Sequence, residues 1–489
     1  MEKSKQSTIE ASTAAAEKPR GYSAAVLAFR VLAIVVAATA FFLYAFKHIP
    51  INKLHKPIAT FGEGVVPFLT LTVFTAIAFI FIPKLIARIF GEGEEVINPI
   101  KAENRKKLAL NFAFICVGAL MIHIVAVVLG ALVYYKVDSY AAGQRLDLIK
   151  LIETAWMKGN TDAGHYLGIA KNWYVTEGDA HLHLVFLPML PALIARLDML
   201  VHNTFWSAQI INAAATSLAA GMTYLTFLPV MGSKRAKVGA FTAILLPGMI
   251  FMNSPMTEPL FLLFTVCAFY FMARKRFIVA GVFVALAGYT RSLGVVAALP
   301  LAIVGVGEVV RLIREKKPFV KTLAAVAAAL IISTLGTLEY LYINYRLYGN
   351  CLKFLELQQH WYQYTSPFYD TPRYMLQRFV SSWTEGGAEK AIALWGAGLI
   401  AIFASLILVL IKTKRLPAHY TAYFLAYFAV SIGVTWLLSA MRYISAAMPV
   451  SAALALMCKK KWQAALLFIL LAAMYLAYMY MYMMRWDVY

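Results

Sequence analysis

The sequence predicts an all-α polytopic membrane protein with about 13 transmembrane helices. Its 489 residues are 61% hydrophobic and only 14% charged, and the mean hydropathy is +0.70. Apolar runs of about 20 residues, the length that crosses a bilayer, recur along nearly the whole chain. The net charge of +21 falls largely in short loops between these runs, which indicates membrane topology and not a nucleic-acid partner.

The N-terminal region predicts a tail followed by two additional helices. Residues 1–22 are rich in Ala, Ser, Thr, Lys and Glu, and we expect them to form a disordered basic tail. Two apolar runs, 23–46 and 64–88, follow within residues 23–107. The first run is too long for the apolar core of a typical signal peptide, so we expect it to remain as a transmembrane helix.

Basic residues decide the predicted orientation. The tail carries four lysine and arginine residues, and the segment from Arg88 to Lys107 carries five more. Both are therefore expected in the cytoplasm. Lys53 and Lys56, in the loop between the first two runs, weaken this preference without reversing it. The loop at 136–205 then lies on the extracytoplasmic side.

A central module over residues 108–345 contains this first external loop, 136–205. Residues 184–202 within the loop are apolar, but two prolines interrupt them, and an arginine and an aspartate follow. Because a charge at the bilayer centre costs about 2.5 to 3.5 kcal/mol, the pattern favours an interfacial helix over a span. Without a span there, the basic loop 233–237 falls in the cytoplasm.

The remaining spans alternate with basic internal loops. From the central module onward they are predicted at 108–135, 206–229, 238–254, 259–273, 277–291, 294–312, 321–345, 391–411, 418–438, 443–458 and 462–484. A second external loop occupies 346–390, and residues 391–489 supply the C-terminal helices. Both external loops are expected to carry interfacial helices.

A polar stretch in the first external loop contains Asp162, His165 and Tyr166. Their spacing of i, i+3 and i+4 places the three side chains on one face of a helix, where a carboxylate and an imidazole would meet. A simpler interpretation is that Thr161 or Asp162 caps that helix, because short oxygen-bearing side chains accept its first free N–H groups. The spacing alone favours the cap.

Three further ionisable residues interrupt apolar sequence at predicted external span ends. Glu258 precedes Pro259, which is also how an ordinary helix begins. Arg291 and Arg442 indicate a functional site by their depth, and a snorkelling arginine at the interface is the alternative for each.

The second external loop combines aromatic rings with amides. Trp361 lies near Gln359, and such pairs suit a sugar ring, although Trp and Tyr also gather at membrane interfaces without a catalytic reason. His181 and His183 lack a third ligand nearby and are interpreted as loop residues. The four cysteines predict neither a disulfide framework nor a metal motif.

Several stretches, in order along the chain, resemble one family: the membrane mannosyltransferases that add the second mannose during GPI-anchor assembly, with their bacterial relatives. The matching elements are Thr161-Asp162-Ala163-Gly164-His165-Tyr166, Asn172-Trp173-Tyr174, Val185 to Pro191, Ser254 to Glu258, Arg291-Ser292-Leu293-Gly294, Tyr348 to Trp361 and Arg442-Tyr443. Thr161 replaces a tryptophan of the family, and Cys351 replaces a proline. The first two runs lie outside the resemblance.

The resemblance implies a GT-C-type fold and an inverting transfer of a sugar, by family mannose, from a polyprenyl phosphate donor to an acceptor hydroxyl. It makes Asp162 the general base, in preference to a helix cap. Arg291, Arg442 and His165 would bind the donor phosphate, whose leaving group needs cations. The further substrate-binding residues implied are Tyr166, Glu258, Gln359, Trp361 and Tyr443.

The resemblance also implies a setting. A bacterial cytoplasmic membrane is expected, with the active site on its extracytoplasmic side and membrane lipid around the chain. No cofactor is required, because arginines can stabilise a leaving lipid phosphate, and a divalent metal stays open. The acceptor is left as a glycan, lipid or protein.

Two other functions compete with a glycosyltransferase. A transporter or lipid flippase would also have many spans and a few membrane-level charges, but its charges are expected near the bilayer midplane, often in paired halves. The sequence has no visible internal repeat. A partner subunit without activity is suggested by Thr161, and the retained Asp162 argues against it.

Overall fold

The described part of the chain is helical, and no β-strand occurs in it. The computed structural model describes residues 31–32, 34–36, 38–39, 66–90, 105–138, 147–157, 161–361, 370–433, 437, 439–486 and 488. The prediction of an all-α polytopic protein is confirmed. The predicted tail at 1–22 lies outside the described residues.

The α-helices fall into two groups along the chain. The first comprises α1 Val66–Phe90, α2 Arg105–Val137, α3 Leu148–Trp156, α4 Ala163–Asn172, α5 Met189–Val201, α6 Thr204–Leu245, α7 Glu258–Ala273, α8 Phe277–Thr290 and α9 Ala298–Arg314. The second comprises α10 Val320–Tyr348, α11 Lys353–Gln358, α12 Asp370–Thr384, α13 Ala388–Lys390, α14 Ala397–Lys412, α15 Ala418–Ser431, α16 Ala440–Ala446, α17 Met448–Met457 and α18 Lys461–Met483. Short 3₁₀ helices occupy Asp179–Val185, Pro247–Asn253, Ser292–Ala297 and Gln359–Trp361, and a π-helical turn occupies Ala391–Gly396.

The chain divides into two compact units, Met1–Lys84 and Leu85–Tyr489. Within the described residues, six helices are long and apolar enough to cross a membrane, or nine if three bent pairs each count as one span. The chain is therefore an integral membrane protein. The prediction of about 13 spans is not confirmed by this number.

The predicted pair of spans at 206–229 and 238–254 corresponds to α6, in which two helical segments meet at a kink. The kink is at Gly232, where the backbone leaves the helical conformation with φ 77° and ψ 163°. Glycine adopts a positive φ without steric cost, so the chain can change direction there. The second predicted span ends at Leu245, because Pro247 lacks the N–H that a continuing helix needs.

A sharp bend follows, and it lies directly before Glu258. The 3₁₀ helix Pro247–Asn253 meets α7 at an angle of 110°. Backbone carbonyls freed by the bend need partners inside the protein. The Asn212 side chain donates to the Ser254 carbonyl at 2.7 Å and reaches the Met256 carbonyl at 3.2 Å, and Gln209 donates to the Asn253 carbonyl at 2.7 Å. Polar residues of α6 thus hold the bend.

Two other predicted segments are also bent. Residues 184–202 contain the end of the 3₁₀ helix Asp179–Val185 and all of α5, which cross at 115°, as expected from the prolines between them. By length and composition this pair could be a broken span or a re-entrant loop. The predicted span 443–458 begins earlier and bends by 71° between α16 and α17, so Arg442 lies within a helix.

Helices α8 and α10 pack with their backbones in close contact. A Cβ atom at Gly281 would lie 2.4 Å from the Ala329 carbonyl oxygen, and one at Gly336 would lie 1.9 Å from the Ala285 carbonyl oxygen. Small residues permit this approach in membrane helix pairs, where packing replaces the hydrophobic effect. The contact fixes α8, whose C-terminal end leads directly into Arg291.

Candidate active site

Asp162 precedes α4 but does not cap it with its side chain. The carboxylate makes no hydrogen bond to the first N–H groups of the helix. Asp147 shows the contrast, because its Oδ1 accepts from the Ile149 and Lys150 N–H groups at 3.1 and 3.2 Å. The carboxylate of Asp162 is instead 31% exposed and accepts a hydrogen bond from a guanidinium group. The cap interpretation of this side chain is therefore wrong.

Arg442 is the cation that holds Asp162. Its Nη2 donates to Asp162 Oδ2 at 2.8 Å, and its Nε lies 3.1 Å from Glu258 Oε1. Nη1 points at the sulfur of Met256, 3.7 Å away. The arginine side chain is only 8% exposed, so one buried guanidinium joins two carboxylates that are far apart in the sequence.

Glu258 connects this pair to a second arginine. It is the first residue of α7 and is fully buried. Its Oε1 also accepts a hydrogen bond from Arg291 Nη1, and the same nitrogen reaches the Thr257 hydroxyl at 3.1 Å. The four charged groups form a continuous chain in the order Asp162, Arg442, Glu258, Arg291, which we call the ionic chain.

Charge neutrality explains how the ionic chain tolerates burial. Two guanidinium groups and two carboxylates give it no net charge. Burying a charge without a partner costs several kcal/mol, and removing one member of a buried pair costs about 3 to 5 kcal/mol. Each group is therefore held in place by its neighbours before any ligand arrives. Asp162 is the partly exposed end of the ionic chain.

Aromatic rings surround the two arginines. The Tyr443 ring centroid lies 4.7 Å from Arg291 Cζ and 5.8 Å from Arg442 Cζ, and the Phe251 ring lies 5.4 Å from Arg442 Cζ. Such cation–π contacts favour a guanidinium that has lost water. The Tyr427 hydroxyl donates to the Tyr443 backbone carbonyl at 2.9 Å and connects the backbone of Tyr443 to α15. Tyr443, a predicted substrate-binding residue, thus contacts both arginines.

His165 lies on the same helix as Asp162 but has other partners. Its Nδ1 is 2.9 Å from His183 Nε2, and its ring stacks on Phe186 at 4.8 Å. Burial lowers the pKa of the His165 imidazole from its ordinary value, and the Asp162 carboxylate opposes this shift. His165 is therefore neutral near pH 7. Its predicted role as a ligand of the donor phosphate stays a prediction.

Trp361 completes an aromatic wall beside His165. Its ring meets His165 at 5.3 Å and Phe186 at 5.9 Å, both edge-on. The indole Nε1 is buried and has no hydrogen-bond partner within the described part of the chain. An unpaired buried N–H is a donor that a bound ligand could use. Gln359, at the start of the same 3₁₀ helix, is exposed.

Tyr166 packs between this wall and the ionic chain. Its ring contacts Phe186 edge-on at 5.4 Å. Burial raises the pKa of the Tyr166 hydroxyl above its ordinary range, and the Asp162 carboxylate acts in the same direction. Tyr166 is therefore a neutral hydrogen-bonding group near pH 7.

Several contributors were not identified from the sequence. Thr257 lies within a matched element but was not predicted to act, and His183 was interpreted as a loop residue although it contacts His165. Asn212 was a visible signal, because an amide inside an apolar run needs a partner. Among the described residues, no group of three or more His, Cys, Asp or Glu side chains could hold a metal ion. Four further aromatic residues of the second external loop, Tyr362, Tyr364, Phe368 and Tyr369, lie outside the described residues.

Residues 159–366 match the family model described as Mannosyltransferase (PIG-V). The matched segment contains Asp162, Glu258 and Arg291, while Arg442 lies beyond it. The match confirms the family resemblance and the prediction of a glycosyltransferase. No curated protein matches the chain.

Solved structures with similar backbones are distant in sequence. ArnT from Cupriavidus metallidurans, bound to undecaprenyl phosphate, is 14% identical with a TM-score of 0.43, covering 74% of this chain and 75% of its own. The apo oligosaccharyltransferase of Archaeoglobus fulgidus is 13% identical with a TM-score of 0.39, covering 75% and 56%. The oligosaccharyltransferase AglB from Archaeoglobus fulgidus, in complex with an inhibitory peptide and a dolichol-phosphate, is 14% identical with a TM-score of 0.36, covering 75% and 56%.

Proposed function

We propose that this chain, which carries the mannosyltransferase (PIG-V) region at residues 159–366, is an inverting membrane glycosyltransferase. It would move mannose from a polyprenyl phosphate donor to an acceptor hydroxyl. The observation that carries the proposal is the ionic chain, in which the partly exposed Asp162 contacts the buried Arg442, and Glu258 links Arg442 to Arg291. This arrangement supports a base beside a pair of anion-binding groups. The name of the matched family supports mannose as the sugar.

The donor phosphate would bind at the two guanidinium groups. A phosphodiester carries one negative charge, and arginine recognises phosphate oxygens with planar, paired N–H groups. One N–H group of Arg442 already donates to Asp162. An incoming phosphate would exchange with that carboxylate and release Asp162 for chemistry. Donor binding would in this way activate the base.

The transfer itself is a single displacement. The acceptor oxygen forms a bond to the anomeric carbon, while the bond from that carbon to the phosphate oxygen breaks. The electron pair stays on the phosphate, which becomes a monoester dianion, and Arg291 and Arg442 stabilise the growing charge. Asp162 takes the proton of the acceptor hydroxyl. Attack opposite the leaving group inverts the anomeric centre.

The site would face the extracytoplasmic side of a bacterial cytoplasmic membrane. The predicted cytoplasmic loops support this because they contact one another. Arg88 donates to the Thr413 carbonyl at 2.6 Å, and Arg235 donates to the Cys458 carbonyl at 3.2 Å. An excess of basic residues on one side marks the cytoplasm. The ionic chain includes none of these basic loop residues.

Sugar transfer from radiolabelled polyprenyl phosphate mannose tests the proposal. Purified protein is given a panel of lipid, glycan and peptide acceptors, with and without EDTA. We expect labelled product with the wild type and with Asp147→Asn, since asparagine caps a helix as well as aspartate. Asp162→Asn should form product about 10² to 10⁴ times more slowly, the usual contribution of a positioned base. Transfer by Asp162→Asn at the wild-type rate would contradict the mechanism, and loss of transfer in EDTA would assign a metal.

A further inference from the structure

Glu258 lies at the centre of the ionic chain, yet a substrate has no access to it. Its side chain is 0% exposed, and Oε1 faces both arginines. Oε2 is also buried, without a hydrogen-bond partner in the described part of the protein. Neither oxygen of this carboxylate reaches the surface of the site, so a ligand cannot contact it without moving the residues that cover it. Its negative charge would also repel a phosphate at the same arginines.

The backbone fixes Glu258 more firmly than it fixes either arginine. Glu258 begins α7, and Pro259 follows in the first turn, where its ring suits the helical conformation. The bend before the helix is held by Asn212, which donates to the Ser254 carbonyl at 2.7 Å. Arginine side chains are long and flexible by comparison. The short carboxylate is therefore the fixed point from which the two guanidinium groups are located.

We propose that Glu258 is a positioning residue that holds Arg291 and Arg442 side by side around one phosphate. The proposal rests on the function proposed above and revises the sequence-based expectation that Glu258 binds substrate. When the donor displaces Asp162 from Arg442, the contact with Glu258 keeps that guanidinium in the site. The leaving phosphate then meets two cations whose spacing was set before the reaction.

Glu308 offers a matched control. Its carboxylate also lies between two cations, with Lys275 Nζ at 2.7 Å and Arg311 Nη2 at 2.7 Å. Lys275 follows the C-terminal end of α7, whereas Glu258 begins the helix. The two carboxylates are therefore separated by the length of α7, about 24 Å at 1.5 Å per residue.

The test combines turnover with binding of a polyprenyl phosphate that carries no sugar. In Glu258→Gln we expect kcat to fall by about 100-fold, because the arginines lose their fixed spacing. The affinity for polyprenyl phosphate should be equal or higher, because a competing negative charge is gone. Glu308→Gln should keep both values within about threefold, as expected for a surface pair.

Two results would overturn the proposal. One is a kcat of Glu258→Gln within threefold of the wild type, and the other is an affinity for polyprenyl phosphate that falls in proportion to kcat. If Glu258→Gln does not fold, Glu258→Asp replaces it, with about a tenfold loss of kcat expected at unchanged affinity because the charge is kept and displaced by one methylene.

The proposed function can fail separately from the role of Glu258. If the wild type transfers no sugar to any acceptor, the glycosyltransferase proposal fails and the binding measurement decides alone. Retained or raised affinity for polyprenyl phosphate in Glu258→Gln then supports the positioning role. Lost affinity would show that the phosphate site does not form without the Glu258 carboxylate, and this result overturns the proposal.

Discussion

Two carboxylates of this chain each lie between two cations, and they differ in burial. In the first cluster, Glu258 is 0% exposed, and its partners Arg291 and Arg442 are 9% and 8% exposed. Water cannot replace any member of this cluster. Removing one partner would leave a buried charge, at a cost of about 3 to 5 kcal/mol.

In the second cluster, the two cations are exposed to solvent. Glu308 is 11% exposed, but its partners Lys275 and Arg311 are 51% and 40% exposed. Solvent can take over either contact, so a pair of this kind contributes about 0 to 1 kcal/mol. A carboxylate between two cations is therefore held strongly where all three groups are buried, and only weakly where water reaches the cations.

The largest effect should come from Arg442→Gln. This change removes the cation shared by Asp162 and Glu258, and it should destabilise the protein by about 3 to 5 kcal/mol. We also expect loss of polyprenyl phosphate binding and of transfer. Thermal unfolding and a binding titration measure both. Arg311→Gln is the matched control, and equal destabilisation by the two substitutions would break the comparison.

A second effect concerns pH and the His165–His183 contact. Burial lowers the pKa of His165, so the folded protein disfavours its charged form, while the unfolded chain takes up a proton near pH 6.5. Stability is therefore fully present above that pH and falls as the solution is acidified. Between pH 7.5 and pH 5.5, we expect the thermal midpoint to fall less in His165→Gln than in the wild type. The variant has one fewer buried imidazole that must remain uncharged in the folded state.

His183 and Asp162 are the titratable groups that face His165. Both are kept in His165→Gln, so the difference from the wild type reports on His165 alone. His181→Gln is the control, because this ring contacts the Gly178 carbonyl and not His165. An identical drop in wild type and His165→Gln would show that His165 does not contribute to the pH dependence.

The smallest effect is expected from Lys275→Gln in the surface cluster. Its ion pair with Glu308 is half in solvent, and the Arg311 contacts to the same carboxylate remain. The free energy of unfolding should change by less than about 1 kcal/mol, and even less at high salt. Denaturant unfolding at two salt concentrations measures this. A change as large as that of Arg442→Gln would remove the distinction between the clusters.

Individual site residues could be predicted because charge is rare in apolar sequence. Glu258, Arg291 and Arg442 were identified on that ground, and their family resemblance gave them an order. Their connection could not be predicted. Arg442 and Asp162 are 280 residues apart, and only the packing of the helices brings them to 2.8 Å.

Sequence rules that consider only neighbouring residues were wrong where a distant residue supplies the partner of a side chain. Asp162 has the residue type and the place of a helix cap, but Arg442 provides a charged partner for its carboxylate. Spans were counted from apolar length, and that measure does not register a bend such as the one before α7. The amides of Asn212 and Gln209 were the sequence signal for this bend, since buried amides pair with free carbonyls.

The most direct test compares donor binding and transfer in Asp162→Asn. The account holds that Asp162 is the base and that Arg442 holds it until phosphate arrives. Polyprenyl phosphate mannose should therefore bind at least as tightly to the variant, while the single-turnover rate falls by about 10² to 10⁴, the usual contribution of a positioned base. Transfer at the wild-type rate, or binding lost together with transfer, would contradict the account.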